Sequence, residues 1–150
     1  MRAVLQRVSA AHVSVDGEEI GAIGPGLLIL LGVAAEDTEE DARWLVGRIL
    51  ALRIFADEAG RLDCSLVDTG GGLLVVSQFT LLASLRKGKR PSYHPAARPE
   101  VARPLYERFC GLAAEGLGRP VAMGRFGAEM EVSSVNAGPV TLILDSRRRD

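Results

Sequence analysis

The chain has 150 residues, 47% of them hydrophobic and 25% charged, with two cysteines and a formal net charge of −1. That length suits one domain over residues 1–150, able to bury roughly two-thirds of the surface its unfolded form exposes, and the composition excludes a disordered chain. A predicted pI of about 6.1 excludes nucleic-acid binding through a broad basic surface, so any such contact has to be local.

Residues 4–8 read as a strand, and residues 13–15 and 18–20 flank Asp16-Gly17, a pair suited to the positive φ angles of a tight hairpin turn. Residues 27–33 form an unbroken apolar run after Gly24-Pro25-Gly26, the pattern of a strand covered on both faces. The wider apolar stretch, 23–35, is interrupted by Gly24, Pro25, Gly26 and Gly32 and falls short of the ~20 residues of a spanning helix. Gln6 and Arg7 break any signal-peptide apolar region, so no membrane segment is expected and a cytoplasmic location is the default.

Thr38 with Asp41 three residues on predicts a capped helix with the stripe Ala42, Leu45, Val46, Ile49 and Leu52, and Trp44 packed beside it. Short strands are expected around 53–55 and 62–65. Gly70-Gly71-Gly72 leads into a buried strand, 73–76, that ends on Ser77-Gln78-Phe79-Thr80. Residues 83–99 are polar, basic and punctuated by proline, hence a loop. Val101, Leu105, Phe109 and Leu112 mark a second helix. Proline inside a helix removes a hydrogen bond, so Pro104 sets the start near Arg103 or kinks the helix. Strands at 121–123, 128–135 and 140–144 complete a mixed α/β order of β, β, β, α, β, α, β, β, with helices able to cover one side of a sheet.

Ordinary catalytic constellations are missing: there is no Walker loop, no nucleophile elbow, no His-Glu-x-x-His and no dinucleotide fingerprint. Cys64 and Cys110 lack metal spacing and a neighbouring His, which makes them free, buried or half-buried thiols. His12 and His94 stand alone. No metal and no cofactor is expected. Two basic clusters, Arg86, Lys87, Lys89 and Arg90 in the loop and Arg147, Arg148 and Arg149 near the end, read most simply as solvated charge.

Two segments are more purposeful. Ser77-Gln78-Phe79-Thr80 stands where an apolar strand gives out, a place where free backbone N–H groups can hold an oxyanion. Asn136-Ala137-Gly138-Pro139-Val140-Thr141 reads as a turn whose Gly-Pro bond can be cis at modest cost. Taken alone, each is most simply a strand end or a turn.

Together the two segments resemble the D-aminoacyl-tRNA deacylases, which carry a Ser-Gln-Phe-Thr-Leu signature, here residues 77–81, and an Asn-x-Gly-Pro-x-Thr signature, here 136–141. Residues 1–8, 52–55, 86–88, 90–92 and 124–128 also resemble family segments in their expected places. The resemblance implies a three-layer α/β/β fold with mixed sheets, a barrel-like strand arrangement and two main helices. It further implies a homodimer that hydrolyses the ester of D-aminoacyl-tRNA or glycyl-tRNA and spares the L-forms. Ser77, Gln78, Phe79 and Thr80 would line a pocket for the terminal adenosine. Gly138 and Pro139, held cis and supported by Asn136 and Thr141, would reach in from the partner subunit. Arg86, Lys87, Lys89 and Arg90 would meet the tRNA acceptor end.

For mechanism, Thr80 as nucleophile and the 2′-hydroxyl of the tRNA's own adenosine remain alternatives; a lone Thr without a base favours the second. Two other functions stay open. One is a non-catalytic nucleic-acid-binding module, and the other a hydrolase of small D-amino-acid esters that needs no tRNA.

Overall fold

The computed structural model describes residues 1–149; Asp150, the last residue of the expected domain, lies outside the described residues. In chain order the elements are β1 (Arg2–Val15), β2 (Glu18–Ile23), β3 (Gly26–Gly32), α1 (Glu39–Ala51), β4 (Phe55–Ala56), β5 (Leu62–Cys64), α2 (Leu66–Thr69), β6 (Gly72–Ser77), a 3₁₀ turn (Phe79–Leu82), α3 (Pro99–Leu117), β7 (Ala122–Met123) and β8 (Glu131–Asp145). Asp16 and Gly17 take φ angles of 51° and 77°, the left-handed pair a two-residue hairpin requires.

β1 organises the sheet. Its first half pairs antiparallel with β3, its second half with β2, and its other edge with β8 over nearly the whole length. β3 runs parallel to β6, and β6 parallel to β7. The sheet curls until β2 returns to the far edge, where a Cβ on Gly21 would lie 2.8 Å from the Met123 carbonyl oxygen. Glycine there lets the two backbones approach, and the result is a nearly closed, barrel-like sheet.

The alternation of side chains explains the layers. Leu27, Ile29 and Leu31 of β3 and Leu73 and Val75 of β6 point toward α1 and α3, with Met1, Ala3 and Leu5 beside them. Leu28, Leu74 and Val76 point the other way, into a second core with Val8, Ala11 and Val13. Val8 has the opposite parity to Ala11 and Val13, and the register slips between β1 and β8 at Val8/Ala10 restore all three to one face. Each fully buried Leu or Ile contributes about 2 kcal/mol by removal from water. The three-layer expectation is met: helices, the β3 and β6 region, and the folded-over β1, β2 and β8 region.

Local signals fix the helices. Thr38 N–H donates to Asp41 Oδ2 at 2.8 Å, closing the capping box at the start of α1. Asp41 also accepts from Ser146 Oγ at 2.6 Å, tying the helix start to the chain's end. Trp44 is half-buried, with the Arg149 guanidinium 5.1 Å from its ring centre. Arg147 is likewise engaged, with Asp37, Glu36 and the Glu36 carbonyl, so two side chains of the C-terminal basic cluster, Arg147 and Arg149, are fastened onto the protein rather than simply solvated.

Three expectations need correction. α3 begins at Pro99, not near Arg103, and continues through Pro104. Pro99 occupies the first helical turn, where its missing N–H costs nothing. Residues 128–135 and 140–144 do not form two strands around a turn, because β8 runs unbroken from Glu131 to Asp145 and passes through Gly138-Pro139. The template is β1, long enough to pair with both halves while register slips at Gln6/Val8 and Val8/Ala10 absorb the excursion. Residues 4–8 and 13–15 are, for the same reason, parts of one strand.

Candidate active site

A cavity of about 470 Å³ opens where the parallel strands end. β3 contributes Leu31 and the following Val33; β6 contributes Val76 and Ser77; the start of α3 supplies Pro99, Ala102 and Tyr106. Phe126, Gly127, Ala128 and Met130, with Val132 from β8, close the far wall. Its size and apolar lining suit a nucleobase-sized ligand. Among the described residues, no Asp, Glu, His, Lys or Arg lines it.

The rim is built by the chain's exit from β6. Gln78 N–H donates to the Leu31 carbonyl at 2.8 Å, extending the parallel ladder one step, and the backbone then coils into the 3₁₀ turn. That turn's first internal hydrogen bond is Leu81 N–H to the Gln78 carbonyl, 3.3 Å, so the N–H groups of Phe79 and Thr80 stand ahead of it. Gln78 Nε2 donates to Thr80 Oγ1 at 2.5 Å. Ser77, Gln78 and Phe79 line the cavity, whereas Thr80 is exposed at its edge.

At the cavity floor the Tyr106 hydroxyl donates to the Val75 carbonyl at 2.8 Å. Desolvation holds its phenol far above the usual range, so it stays a neutral donor. Burial pushes the neighbouring Cys110 thiol up to about 12, which leaves it protonated and unsuited to nucleophilic attack.

The second motif lies elsewhere on the same chain. Gly138-Pro139 is a cis bond, and both residues are exposed. Asn136 staples the excursion from both sides: its Oδ1 accepts from Val140 N–H at 3.0 Å and its Nδ2 donates to Thr141 Oγ1 at 2.9 Å. Arg7 lies beneath, with Nε donating to the Ala137 carbonyl at 3.0 Å and Nη1 to the Ile54 carbonyl at 2.6 Å. Residues 136–141 do not line the cavity, so one chain does not bring the two motifs together.

The basic residues sit on a tongue. Ser84 and Ser92 exchange two backbone hydrogen bonds, 2.8 and 3.0 Å, pinning its base, and Gly88 turns its tip at φ 70°. Arg86, Lys87, Lys89 and Arg90 are all exposed on it. Sequence reasoning missed Tyr106, Phe126, Met130 and the clamp made by Arg7. Arg7 stood in a family-like segment, but only the pairing of β1 with β8 reveals its partners. Among the described residues, no cluster of His, Cys, Asp or Glu could hold a metal, and no helix is long and apolar enough to cross a membrane.

The family model described as D-Tyr-tRNA(Tyr) deacylase matches residues 4–145. A protein of Opitutus terrae named D-aminoacyl-tRNA deacylase is 62% identical over 150 residues, covering 100% of both chains. One of the same name from Dechloromonas aromatica is 53% identical, covering 98% of each. Among solved structures, one titled c-Myc DNA Unwinding Element Binding Protein superposes with a TM-score of 0.90 at 41% identity, covering 97% of this chain and 98% of that one. Another, titled as a probable eukaryotic D-amino acid tRNA deacylase, shares the fold with a TM-score of 0.84 at 21% identity, covering 95% and 97%.

These matches make the protein an enzyme of the class that hydrolyses aminoacyl-tRNA esters. The chain belongs to the D-aminoacyl-tRNA deacylase family.

Proposed function

We propose that this protein is a cytoplasmic homodimer that frees tRNA from D-amino acids, and from glycine, while sparing L-aminoacyl-tRNA. The observation that carries the reading is the position of Ser77, Gln78 and Phe79 on an uncharged cavity in a chain whose full-length relatives bear that name. The terminal adenosine enters the cavity and presents its ester at the 3₁₀ turn.

An aminoacyl ester is already activated, so a site without a charged base suffices. The N–H groups of Phe79 and Thr80 receive the tetrahedral oxyanion, and one well-placed donor is worth about 3 kcal/mol. Gln78 orients the Thr80 hydroxyl. The 2′-hydroxyl of the substrate's own adenosine positions the attacking water, because among the described residues none in the cavity lining supplies a base.

Chirality is read by the neighbour. β8 pairs with β1 along one edge and carries exposed Val135 and Ile143, 60% and 70% accessible, features that favour strand-edge or face pairing with a second copy. In the dimer the partner's Gly138 and Pro139 face the substrate α-carbon, leaving room for hydrogen or a D-side chain and none for an L-side chain. Glycine passes because it has no side chain to exclude.

The decisive experiment is deacylation of matched D- and L-aminoacyl-tRNA by purified protein. Rapid release from the D-form and from glycyl-tRNA, with the L-form spared, is expected; equal rates on both enantiomers would sink the assignment. Salt-dependent DNA binding without hydrolysis would favour the binding-module reading instead.

Arg86, Lys87, Lys89 and Arg90 are assigned to acceptor-end phosphates. Replacing two of them by Ala should weaken tRNA binding and flatten the log–log salt dependence by about one to two units. An unchanged slope returns the tongue to solvated surface.

A further inference from the structure

Two aromatic rings stand exposed together at the cavity rim, Phe79 from its lining and Tyr93 from outside it. Phe79 reaches out from the rim, 55% accessible, and Tyr93 stands beside it, 42% accessible. Their ring centres are 5.0 Å apart at 68°, an edge-to-face pair. Such a pair occupies one edge and one face and leaves the remaining faces free, and a soluble surface gains nothing from two large open rings. Their placement is specific. Phe79 belongs to the cavity lining, and Tyr93 directly follows Ser92, which pins the base of the basic tongue. An apolar cavity, an aromatic pair and a cationic tongue therefore follow one another along a single track. That is the chemistry of a groove for single-stranded nucleic acid, in which bases stack on rings while cations follow the phosphates.

We propose that Phe79 and Tyr93 form a stacking shelf for the nucleobase preceding the terminal adenosine, so that the enzyme grips two nucleotides of the single-stranded 3′ tail. The inference rests on the tRNA-deacylase reading. Tyr93 is a positioning residue here, acting on binding of the tail and not on the ester. Stacking tolerates any base, so the shelf adds affinity without selecting among tRNAs.

The test compares two D-aminoacyl substrates, full-length tRNA and the 3′-ester of adenosine alone, on unmodified enzyme, Tyr93→Leu and Tyr93→Phe. On tRNA, Tyr93→Leu should raise KM about tenfold with kcat unchanged, and Tyr93→Phe should behave as the unmodified enzyme. On the adenosine ester, which lacks the preceding nucleotide, all three should be alike. A tRNA with an abasic site before the terminal adenosine should erase the difference between Tyr93→Leu and the unmodified enzyme.

Equal impairment of Tyr93→Leu on both substrates would overturn the shelf and make Tyr93 a support for Phe79. No effect on either substrate would overturn it as well, with the deacylase reading intact. Failure of the unmodified enzyme on D-aminoacyl-tRNA would instead remove that reading, and the shelf with it.

Discussion

Gly138→Ala is expected to slow hydrolysis of D-aminoacyl-tRNA about a hundredfold, the scale set by displacing a positioning group by about an ångström. Gly138 has φ +131°, a conformation L-residues rarely adopt, and an added Cβ would lie 2.9 Å from Arg7 Nη2 and 3.0 Å from Val140 Cγ2. Arg7 is not free to swing aside, because its guanidinium is held by the Ile54 and Ala137 carbonyls at 2.6 and 3.0 Å. The backbone has to move instead, at a cost of about 1–3 kcal/mol, and it carries the carbonyls that the proposed filter sets against the substrate's α-carbon. Single-turnover rates on both enantiomers measure the effect, with light scattering to compare the oligomeric state of variant and unmodified protein. Gly47→Ala is the control, since a Cβ there meets nothing within 4 Å and alanine favours the helix. Unaltered rates and selectivity in Gly138→Ala would remove Gly138 from the chirality filter.

What the sequence discloses follows from how far apart the interacting residues lie. Asp16-Gly17, the Thr38 and Asp41 box and the doubly covered β3 are settled by neighbours a few residues away, and all three read correctly. Pro104 misled because a local rule about helix interiors was applied without knowing that Pro99 had already opened α3, a full turn earlier. Gly138-Pro139 read as a turn because its own composition says so. The strand continues on both sides of it through pairing with β1, Asn136 with Val8 and Thr141 with Gln6, about 130 positions away. At the candidate site, a strand's end and a family signature singled out Ser77 and Gln78, which line the cavity. The clamp made by Arg7 depends on the Ala137 and Ile54 carbonyls, and the position of Tyr93 on a loop pinned by Ser84 and Ser92. No periodicity or motif encodes such contacts.

A tRNA ending in 2′-deoxyadenosine is expected to lose about a hundredfold or more in rate with the unmodified enzyme, whereas Thr80→Ala should lose about tenfold at most on the natural substrate. The first figure is the lower range for removing a group that handles the proton of the attacking nucleophile; the second is the value of one exposed hydrogen bond. Geometry supports this division of roles. Thr80 Oγ1 already accepts from Gln78 Nε2 at 2.5 Å, which draws electron density from the oxygen that would have to attack. The titratable group in the cavity lining is Tyr106, whose hydroxyl is committed to the Val75 carbonyl and whose phenol is held protonated by burial. Among the described residues, the side-chain partner of Thr80 Oγ1 is the Gln78 amide, which is no base, and an unassisted hydroxyl is a poor nucleophile at neutral pH. The ribose 2′-hydroxyl arrives with the substrate, adjacent to the ester, and in the proposed mode of binding the contacts that hold the adenosine orient it. Measuring both substrates on both proteins gives four rates. Full activity on the deoxy substrate combined with complete loss in Thr80→Ala would reverse the assignment and make the threonine the nucleophile.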